Sequence, residues 1–378
     1  MKVSVIIPSY GGGRRLLQLV DHLVNNNHKE KEVIVVIDQP RPEVVKELRK
    51  KPVKLILRDE RGGKVTALNE AVKQATGDIF IFLDDDVVPN GNGFIEGIVE
   101  KMNGYHVAEI RKVIIGKSLL ARMVHYDYVG YNYGNYLFWK HLKRCVGFNG
   151  AAFVLTREGV KRVGSFKPAV AEDLEFGLRT FLAGLDFRYI ITPYVYNDPP
   201  PSWRDWFKQR VRWAVGAALW VKDHWRVLAR LIMQNPVFAM LILLFLLPSL
   251  ITLSAALLAN TNLMDKIALL VLLSISSFHP GFIPIAAALS YKLLYALIKA
   301  VIISVISYFA YSIFYYQAAK RVKLRFNPLD FAIYFFVYSP LWFLMLLSGF
   351  IRVFVFRRTT VSDWVVPEED EEGSEKPV

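Results

Sequence analysis

Three consecutive aspartates, Asp84, Asp85 and Asp86, close the apolar run 79–83. Carboxylates two residues apart at the end of a strand suit a hard divalent cation. Mg²⁺ or Mn²⁺ held there would neutralise a departing pyrophosphate, whereas a helix cap or solvated loop would use the same residues for nothing more. Asp38 closes a second apolar run, 33–37. Gln209, Arg212 and Trp213 are three and four residues apart and therefore share one face of a helix. A guanidinium on that face can hold a phosphate by two parallel hydrogen bonds, and an indole can stack on a ring. Asp173 opens a helical run, where a carboxylate serves as an N-cap, as a proton acceptor, or as both. Lys64 either meets a phosphate or stays a solvated lysine.

The elements that must hold these side chains follow from hydrophobic period. Residues 2–8 read as a strand ended by Pro8. A glycine turn at 11–13 leads into Leu16, Leu17, Val20 and Leu23 at helical spacing. Strands are expected at 33–37, 53–57, 78–83, 107–115, 148–155 and 187–191. Helices are expected from Pro42, over 64–75 with Gly77 behind it, and over 173–182. Residues 118–142 are rich in aromatics and fit neither period. Strands alternating with helices predict a mostly parallel sheet covered on both faces. Ligands of such sheets bind beyond the carboxyl ends of the strands, so Asp38 and Asp84–Asp86 should face one crevice.

The apolar residues, 53% of the 378, are unevenly spread. Residues 1–235 alternate charged and apolar segments, and 236–356 are almost continuously apolar. Four apolar segments are expected, near 236–259, 267–290, 292–318 and 331–356, and the first has no charge over 24 residues. That length crosses a hydrocarbon core of ~30 Å. Basic residues at 320–325 and 357–358 belong on the cytoplasmic side. Four simple crossings from a cytoplasmic start would place 320–325 outside, so three or four helices are expected, at least one of them re-entrant or interfacial. Residues 202–234 carry Trp206, Trp213 and Trp220 at heptad spacing beside Lys and Arg, as in a helix lying in a bilayer interface. The excess of 47 basic over 34 acidic residues gives a net charge of +13, which favours a membrane surface over nucleic acid. Cys145 is the single cysteine, which excludes an internal disulfide or a cysteine-based zinc site. Residues 2–7 read as a strand rather than a signal peptide. The expectation is an integral protein of the cell membrane with a cytoplasmic catalytic part, and an acidic disordered tail after Pro367. The expected divisions are 1–201, 202–235 (interfacial helices), 236–356 (transmembrane) and 357–378 (cytoplasmic segment and tail).

Val5-Ile-Ile-Pro8-Ser9-Tyr10, Asp38, Gly63-Lys64 with Ala67-Leu68-Asn69, Gly77-Asp78 and Leu83-Asp84-Asp85-Asp86 occur in that order. With them the sequence resembles the family-2 glycosyltransferases and their GT-A fold. Phe148-Asn149-Gly150 is similar to the acceptor-side strand of that family, and Glu172-Asp173 to its base-bearing motif. Gln209-Arg210-Val211-Arg212-Trp213 matches the Q-x-x-R-W motif of its cellulose synthase-like members. The resemblance covers about 2–216. It implies a nucleotide-sugar site of Pro8, Ser9, Tyr10, Asp38, Lys64, Asp84, Asp85, Gln209, Arg210 and Arg212, with metal at Asp84 and Asp86. It places acceptor contacts at Trp213, Asn149 and Gly150, and the catalytic base at Asp173 with Glu172 orienting it. Asp38 is followed by Gln39-Pro40, where the family has a second acidic residue. The segment 357–364 is loosely similar to the gating segment of cellulose synthase-like enzymes.

The expected function is an inverting, Mn²⁺- or Mg²⁺-assisted transfer of a hexose from a nucleoside-diphosphate sugar to a polyprenyl- or dolichyl-phosphate-linked acceptor at a bilayer. By analogy with dolichyl-phosphate mannose synthases, GDP-mannose leads and UDP-glucose follows. The alternative is a processive polysaccharide synthase, which Q-x-x-R-W favours and the small number of membrane helices disfavours. A non-catalytic scaffold or flippase would not need these carboxylates.

Overall fold

The β-branched and aromatic runs form one mixed sheet. Its strands are β1 (Val3–Tyr10), β2 (Lys31–Asp38), β3 (Lys54–Arg58), β4 (Ile79–Leu83), β5 (Val87–Pro89), β6 (Val107–Ile114), β7 (Ala152–Thr156) and β8 (Phe187–Asn197), in the order β3-β2-β1-β4-β7-β6-β8-β5. The computed structural model describes residues 1–235, 263–276, 279, 281 and 283–358. β1 to β4 pair in parallel, as strand–helix alternation requires. The alternation then ends, because β5 follows β4 after only three residues. β7 accordingly enters antiparallel to both β4 and β6. The sheet is therefore less parallel than its sequence suggests. β1 also continues through Pro8 to Tyr10. Its pairing with β4 stops at Ile6, so the missing N–H of Pro8 breaks no bond on that side.

Helices cover both faces. On one, α1 (Arg14–Val24) buries Leu16, Leu19, Val20 and Leu23 against Val3, Val5 and Ile7, with α4 (Phe94–Lys101) beside it. On the other, α3 (Gly63–Gln74) and α7 (Glu172–Leu182) pack on Ile6, Ile34 and Phe82. α2 (Pro42–Leu48) and α6 (Arg157–Val163) are short connections. The aromatic-rich stretch forms α5 (Leu119–Leu137), extended by a π-helical turn at Phe138–Leu142. Residues 202–234 form one helix, α8 (Trp203–Gln234).

The chain divides into two compact units. The first comprises Met1–Arg230, Arg321–Leu324 and Met345–Val378, and the second Leu231–Lys320 and Arg325–Leu344. Within the first unit, the short segment 321–324 is built into the sheet. Val322 is fully buried in the cluster that contains Phe187 and Tyr189. Arg111, itself buried, donates from one guanidinium nitrogen to the carbonyls of Val322 (2.8 Å) and Lys323 (3.0 Å). Val353 packs on Val215 and Ala218 of α8. A Cβ on Gly349 would stand 2.7 Å from the Cβ of Ala214, so that approach needs a glycine.

The second unit contains helices α9 (Leu263–Ser276), α10 (Ile283–Arg321, up to Lys320) and α11 (Pro328–Ile333). A π-helical turn, Tyr334–Tyr338, connects α11 to α12 (Ser339–Phe354), whose first turns also belong here. The turn precedes Pro340, which lacks the N–H that a regular helix would use there. Tyr308, Tyr311, Tyr315, Phe331 and Phe335 form its aromatic centre. Among the described residues, two helices are long and apolar enough to cross a membrane, Ile298–Arg321 (24 residues) and Pro328–Phe354 (27 residues). The expected segment at 236–259 and the acidic tail lie outside the described residues.

Burial of Val322 makes a prediction. Val322→Ala should lower the unfolding free energy by ~2 kcal/mol, from two lost methyl groups plus the cavity they leave. Thermal unfolding in detergent checks this, and a variant as stable as the parent would show that 321–324 is merely laid on the sheet.

Candidate active site

The site lies where three parallel strands end. β1 ends at Tyr10, β2 at Asp38, and β4 gives way to Asp84. The Asp84 N–H donates to the carbonyl of Ala151 (2.9 Å), which ties the acidic turn to the start of β7. Lys64, one residue into α3, reaches across. Its ammonium is 2.6 Å from Asp84 Oδ1, 3.6 Å from Glu172 Oε1 and 3.2 Å from the Gly150 carbonyl. Lys64 is thus neither free in solvent nor alone. Burial disfavours its charge, but Asp84 and Glu172 more than offset this and raise its pKa.

The carboxylates around that ammonium outnumber it. Asp85 accepts a short hydrogen bond from Ser9 Oγ; burial pushes it up to about 6, with Asp84 adding repulsion. Asp86 faces solvent at the mouth of the crevice. The protein around it, then Asp84 and Asp85, push it up to about 7. Burial raises Glu172 too, against the pull of Lys64. Negative charge of this density calls for a cation. No three His, Cys, Asp or Glu side chains converge on a common point among the described residues. Asp84 and Asp86 therefore fit an ion that takes only one or two protein carboxylates and completes its shell with phosphate oxygens and water, as Mg²⁺ does.

Asp173 sits in the first turn of α7. Its Oδ2 accepts the Gly150 N–H (3.1 Å) and its Oδ1 the Leu174 N–H (2.9 Å). The backbone of Gly150 thus serves both, its N–H holding Asp173 and its carbonyl Lys64. Strand β7 begins at Ala152, so residues 148–151 form a loop rather than the expected strand. The loop is held close to α7: a Cβ on Gly177 would fall 2.5 Å from the Cα of Gly147.

The remaining residues divide into three groups. Ser9 and Tyr10 lie at the end of β1, and the Tyr10 hydroxyl donates to Gln39 Oε1 (2.8 Å) while Arg61 stacks on its ring. Gln39, where the family pattern is broken, has φ of 49° and so turns its side chain toward Tyr10. Pro8 is buried within the strand. Asp38 is buried and its Oδ2 accepts the Gly63 N–H (2.7 Å), which fixes the start of α3. Asn149 lies in the loop that carries Gly150, and its side-chain oxygen accepts the Ala151 N–H (3.4 Å).

Within Q-x-x-R-W, Gln209, Arg212 and Trp213 are partly exposed, and Trp213 stands edge-on to Tyr131 at 6.3 Å. Arg210 is a correction. It was expected at the donor pyrophosphate, but it is fully buried and its guanidinium bonds Asp127 at 2.5 Å. Trp206 and Trp213 stack on it at 5.7 and 4.2 Å. Glycosyl donors arrive from solvent, and this guanidinium is covered by protein. Sequence reasoning missed Asp127, Tyr128 and Tyr131, although an aspartate inside an aromatic helix is itself a signal of a buried partner.

This pair yields a prediction. Asp127→Ala strands a buried guanidinium and should cost ~3–5 kcal/mol of stability, whereas Asp127→Leu with Arg210→Met should recover most of it. Chemical denaturation distinguishes the outcomes, and an Asp127→Ala variant of parental stability would show the pair to be dispensable to the fold.

Comparison with known proteins agrees with this geometry. Residues 4–158 match the family model Glycosyl transferase family 2. The probable glycosyltransferase YdaM of Bacillus subtilis is 26% identical over 233 residues, 57% of this chain and 55% of that protein. The dolichol-phosphate mannosyltransferase of Pyrococcus furiosus is 38% identical over 92 residues, 23% of this chain and 26% of that protein. The chain therefore spans about half the length of the first relative and about a quarter of the second. Among solved structures, the mannosyltransferase PcManGT from Pyrobaculum calidifontis, in complex with GDP-Man and Mn²⁺, superposes with a TM-score of 0.50 at 18% identity. That match covers 79% of this chain and 87% of the other. The stretch 4–158, which carries the strand ends at Tyr10, Asp38 and Asp84–Asp86, is thus similar to glycosyl transferase family 2 domains.

Proposed function

We propose that the protein is a metal-dependent, inverting hexosyltransferase that moves mannose from a nucleoside-diphosphate sugar to a polyprenyl- or dolichyl-phosphate-linked acceptor at a membrane surface. The observation that carries the reading is the Gly150 backbone, whose N–H binds Asp173 and whose carbonyl binds Lys64, the lysine that also pairs with Asp84. Asp173 accepts the proton of the acceptor hydroxyl as that oxygen attacks the anomeric carbon. The bond from that carbon to the phosphate breaks, and its electron pair leaves with the nucleoside diphosphate. Asp84 and Asp86 would hold a divalent ion, which supplies charge neutralisation to the leaving pyrophosphate. Lys64 holds Asp84 and Glu172 in place and offers its positive charge to the same phosphates. A single displacement inverts the anomeric centre.

Mannose is preferred as the sugar because the Pyrococcus relative is a dolichol-phosphate mannosyltransferase; its name also motivates the lipid-linked acceptor. Of the heptad tryptophans, Trp206 is fully buried in the protein and Trp213 and Trp220 are partly buried, but Trp203, Phe207, Val211 and Trp225 are exposed on α8, and exposed Lys208, Lys222, Arg226 and Arg230 share the helix. Exposed tryptophan with flanking basic residues favours a bilayer interface. The long apolar helices support membrane attachment, with the catalytic part on the cytoplasmic side. Processive polysaccharide synthesis remains the second reading, favoured by the Q-x-x-R-W helix.

Purified protein in detergent, given GDP-mannose and Mn²⁺, should release GDP slowly. Dolichyl phosphate should accelerate the release and yield an organic-extractable product. Chelation should abolish transfer and added Mn²⁺ or Mg²⁺ should restore it. High-mass glycan made without added lipid would replace the lipid reading with the processive one. Asp173→Asn should lower transfer by ~10²–10⁴-fold with donor binding intact. Transfer at the parental rate would remove Asp173 as the base.

A further inference from the structure

Two charged residues lie inside the sheet with no part in the chemistry above. Glu109 and Lys112, both on β6, are 2% and 1% exposed, and their side chains meet at 2.6 Å. On a regular strand, residues three apart point to opposite faces. Here the two side chains nonetheless meet, next to the point between Ile110 and Arg111 where β6 shifts register against β8. A buried ion pair is a poor way to stabilise a core, since apolar residues of similar volume do as well or better. Its place in the molecule suggests a different use.

The pair is the base of a polar column that ends at the candidate base. From α5, Asn135 Nδ2 donates to Glu109 Oε2 (2.8 Å). One turn earlier, Asn132 brackets the Lys112 backbone, accepting from its N–H (3.2 Å) and donating to its carbonyl (2.8 Å). Tyr189 donates to the same Asn132 oxygen (2.7 Å). Above, the Asn149 N–H lies between the two Glu109 oxygens at 3.3 and 3.4 Å. The next residue, Gly150, gives its N–H to Asp173 and its carbonyl to Lys64.

We propose that Glu109, neutralised by Lys112, is a positioning residue for the transfer step: it anchors the Asn149 N–H, and the anchored loop sets the Gly150 N–H that holds Asp173. This rests on the reading of Asp173 as the base. Glu109 touches no substrate and acts through the loop. A shift of about 1 Å at reacting atoms can cost ~10²-fold in rate, so this anchor acts on the rate of the step and leaves donor affinity alone.

Two double variants separate hydrogen bonding from charge and from bulk. Glu109→Leu with Lys112→Met removes the pair and the anchor. Glu109→Gln with Lys112→Met also removes the charges but keeps an oxygen for the Asn149 N–H, and Asn135 can flip to accept from the new amide. GDP-mannose and UDP-glucose are each supplied with Mn²⁺ and dolichyl phosphate, and the faster donor is used. The leucine variant should keep its donor KM and lose kcat by ~10–100-fold, while the glutamine variant should recover most of kcat. Parental kcat in the folded leucine variant, or equal loss in both variants, overturns the proposal. Should the leucine variant not fold, amide hydrogen exchange on the glutamine variant decides. Protection of Asn149 and Gly150 retained together with kcat supports the anchor, and protection retained with kcat lost overturns it. Asp173→Asn is assayed alongside. Its failure to lose transfer removes the base reading and this proposal with it, whereas a collapse of Asp173→Asn with indifferent Glu109 variants removes this proposal alone.

Discussion

Around the ammonium of Lys64 four parts of the chain meet: the start of α3, the end of β4 at Asp84, the loop at Gly150 and the start of α7 at Glu172. None of these segments is adjacent in sequence, and no disulfide joins them, because Cys145 is the only cysteine. The crevice exists because one cation is shared among groups that would otherwise repel. Asp84, Asp85, Asp86, Glu172 and Asp173 gather there against this ammonium, and two of the five are pushed up to about 6 and about 7. The sheet makes this crowding possible by ending β1, β2 and β4 on the same edge. Buried hydrophobic strands supply the rigidity that holds the charges together, and the surplus of negative charge at their ends is what a divalent cation would relieve.

The support for that edge comes from polar groups placed where apolar ones would fold as well. Asp38 secures the first residue of α3 through the Gly63 N–H. Glu109 secures Asn149, and Asp127 secures Arg210 on α8. Each joins a segment that carries a candidate site residue to a part of the chain distant in sequence. Hydrophobic packing would give comparable stability with less directional control, since burial is proportional to area and indifferent to angle. Ionic and hydrogen-bonded anchors fix angle, and proton transfer depends on it.

Much of the first half of the fold was legible in the sequence because its signals are local. Strand ends marked by Asp38 and Asp84 and the 3.6-residue spacing of Leu16, Val20 and Leu23 fall where the pattern puts them, and the helical stretch expected over 202–234 forms one helix. The errors have physical causes. Residues 148–151 look like strand because Phe148 and Ala151 are apolar, but their backbone is spent on Asp173, Lys64 and Asp84. Arg210 reads as a phosphate ligand from its motif, yet only the fold could reveal that Asp127, 83 residues away in the chain, claims it. The pair at 109 and 112 could not be foreseen because residues three apart on a strand are expected on opposite faces, yet these side chains meet at 2.6 Å. In the first two misses a long-range partner overrides a local pattern.

α8 links the chemistry to the rest of the first unit. At Gly216 it meets the residues just before Glu172 and Asp173: a Cβ there would lie 3.2 Å from the Cβ of Ala171 and 3.4 Å from Val170. Two residues earlier, Ala214 receives Gly349, and Val353 packs a turn further along α8 on Val215 and Ala218. The helix that carries Gln209, Arg212 and Trp213 is thus gripped at small residues, Ala214 and Gly216, by Gly349 and by the residues before α7. Small residues permit this because no side chain intervenes between the backbones. Its outward side keeps Phe207, Val211 and Trp225 exposed. Movement of that apolar side would be transmitted through Gly216 to the turn that bears Asp173, because close-packed interiors pass displacement on rather than absorb it. On the proposed reading, seating α8 in a lipid interface and holding the base in position are then parts of one mechanical constraint.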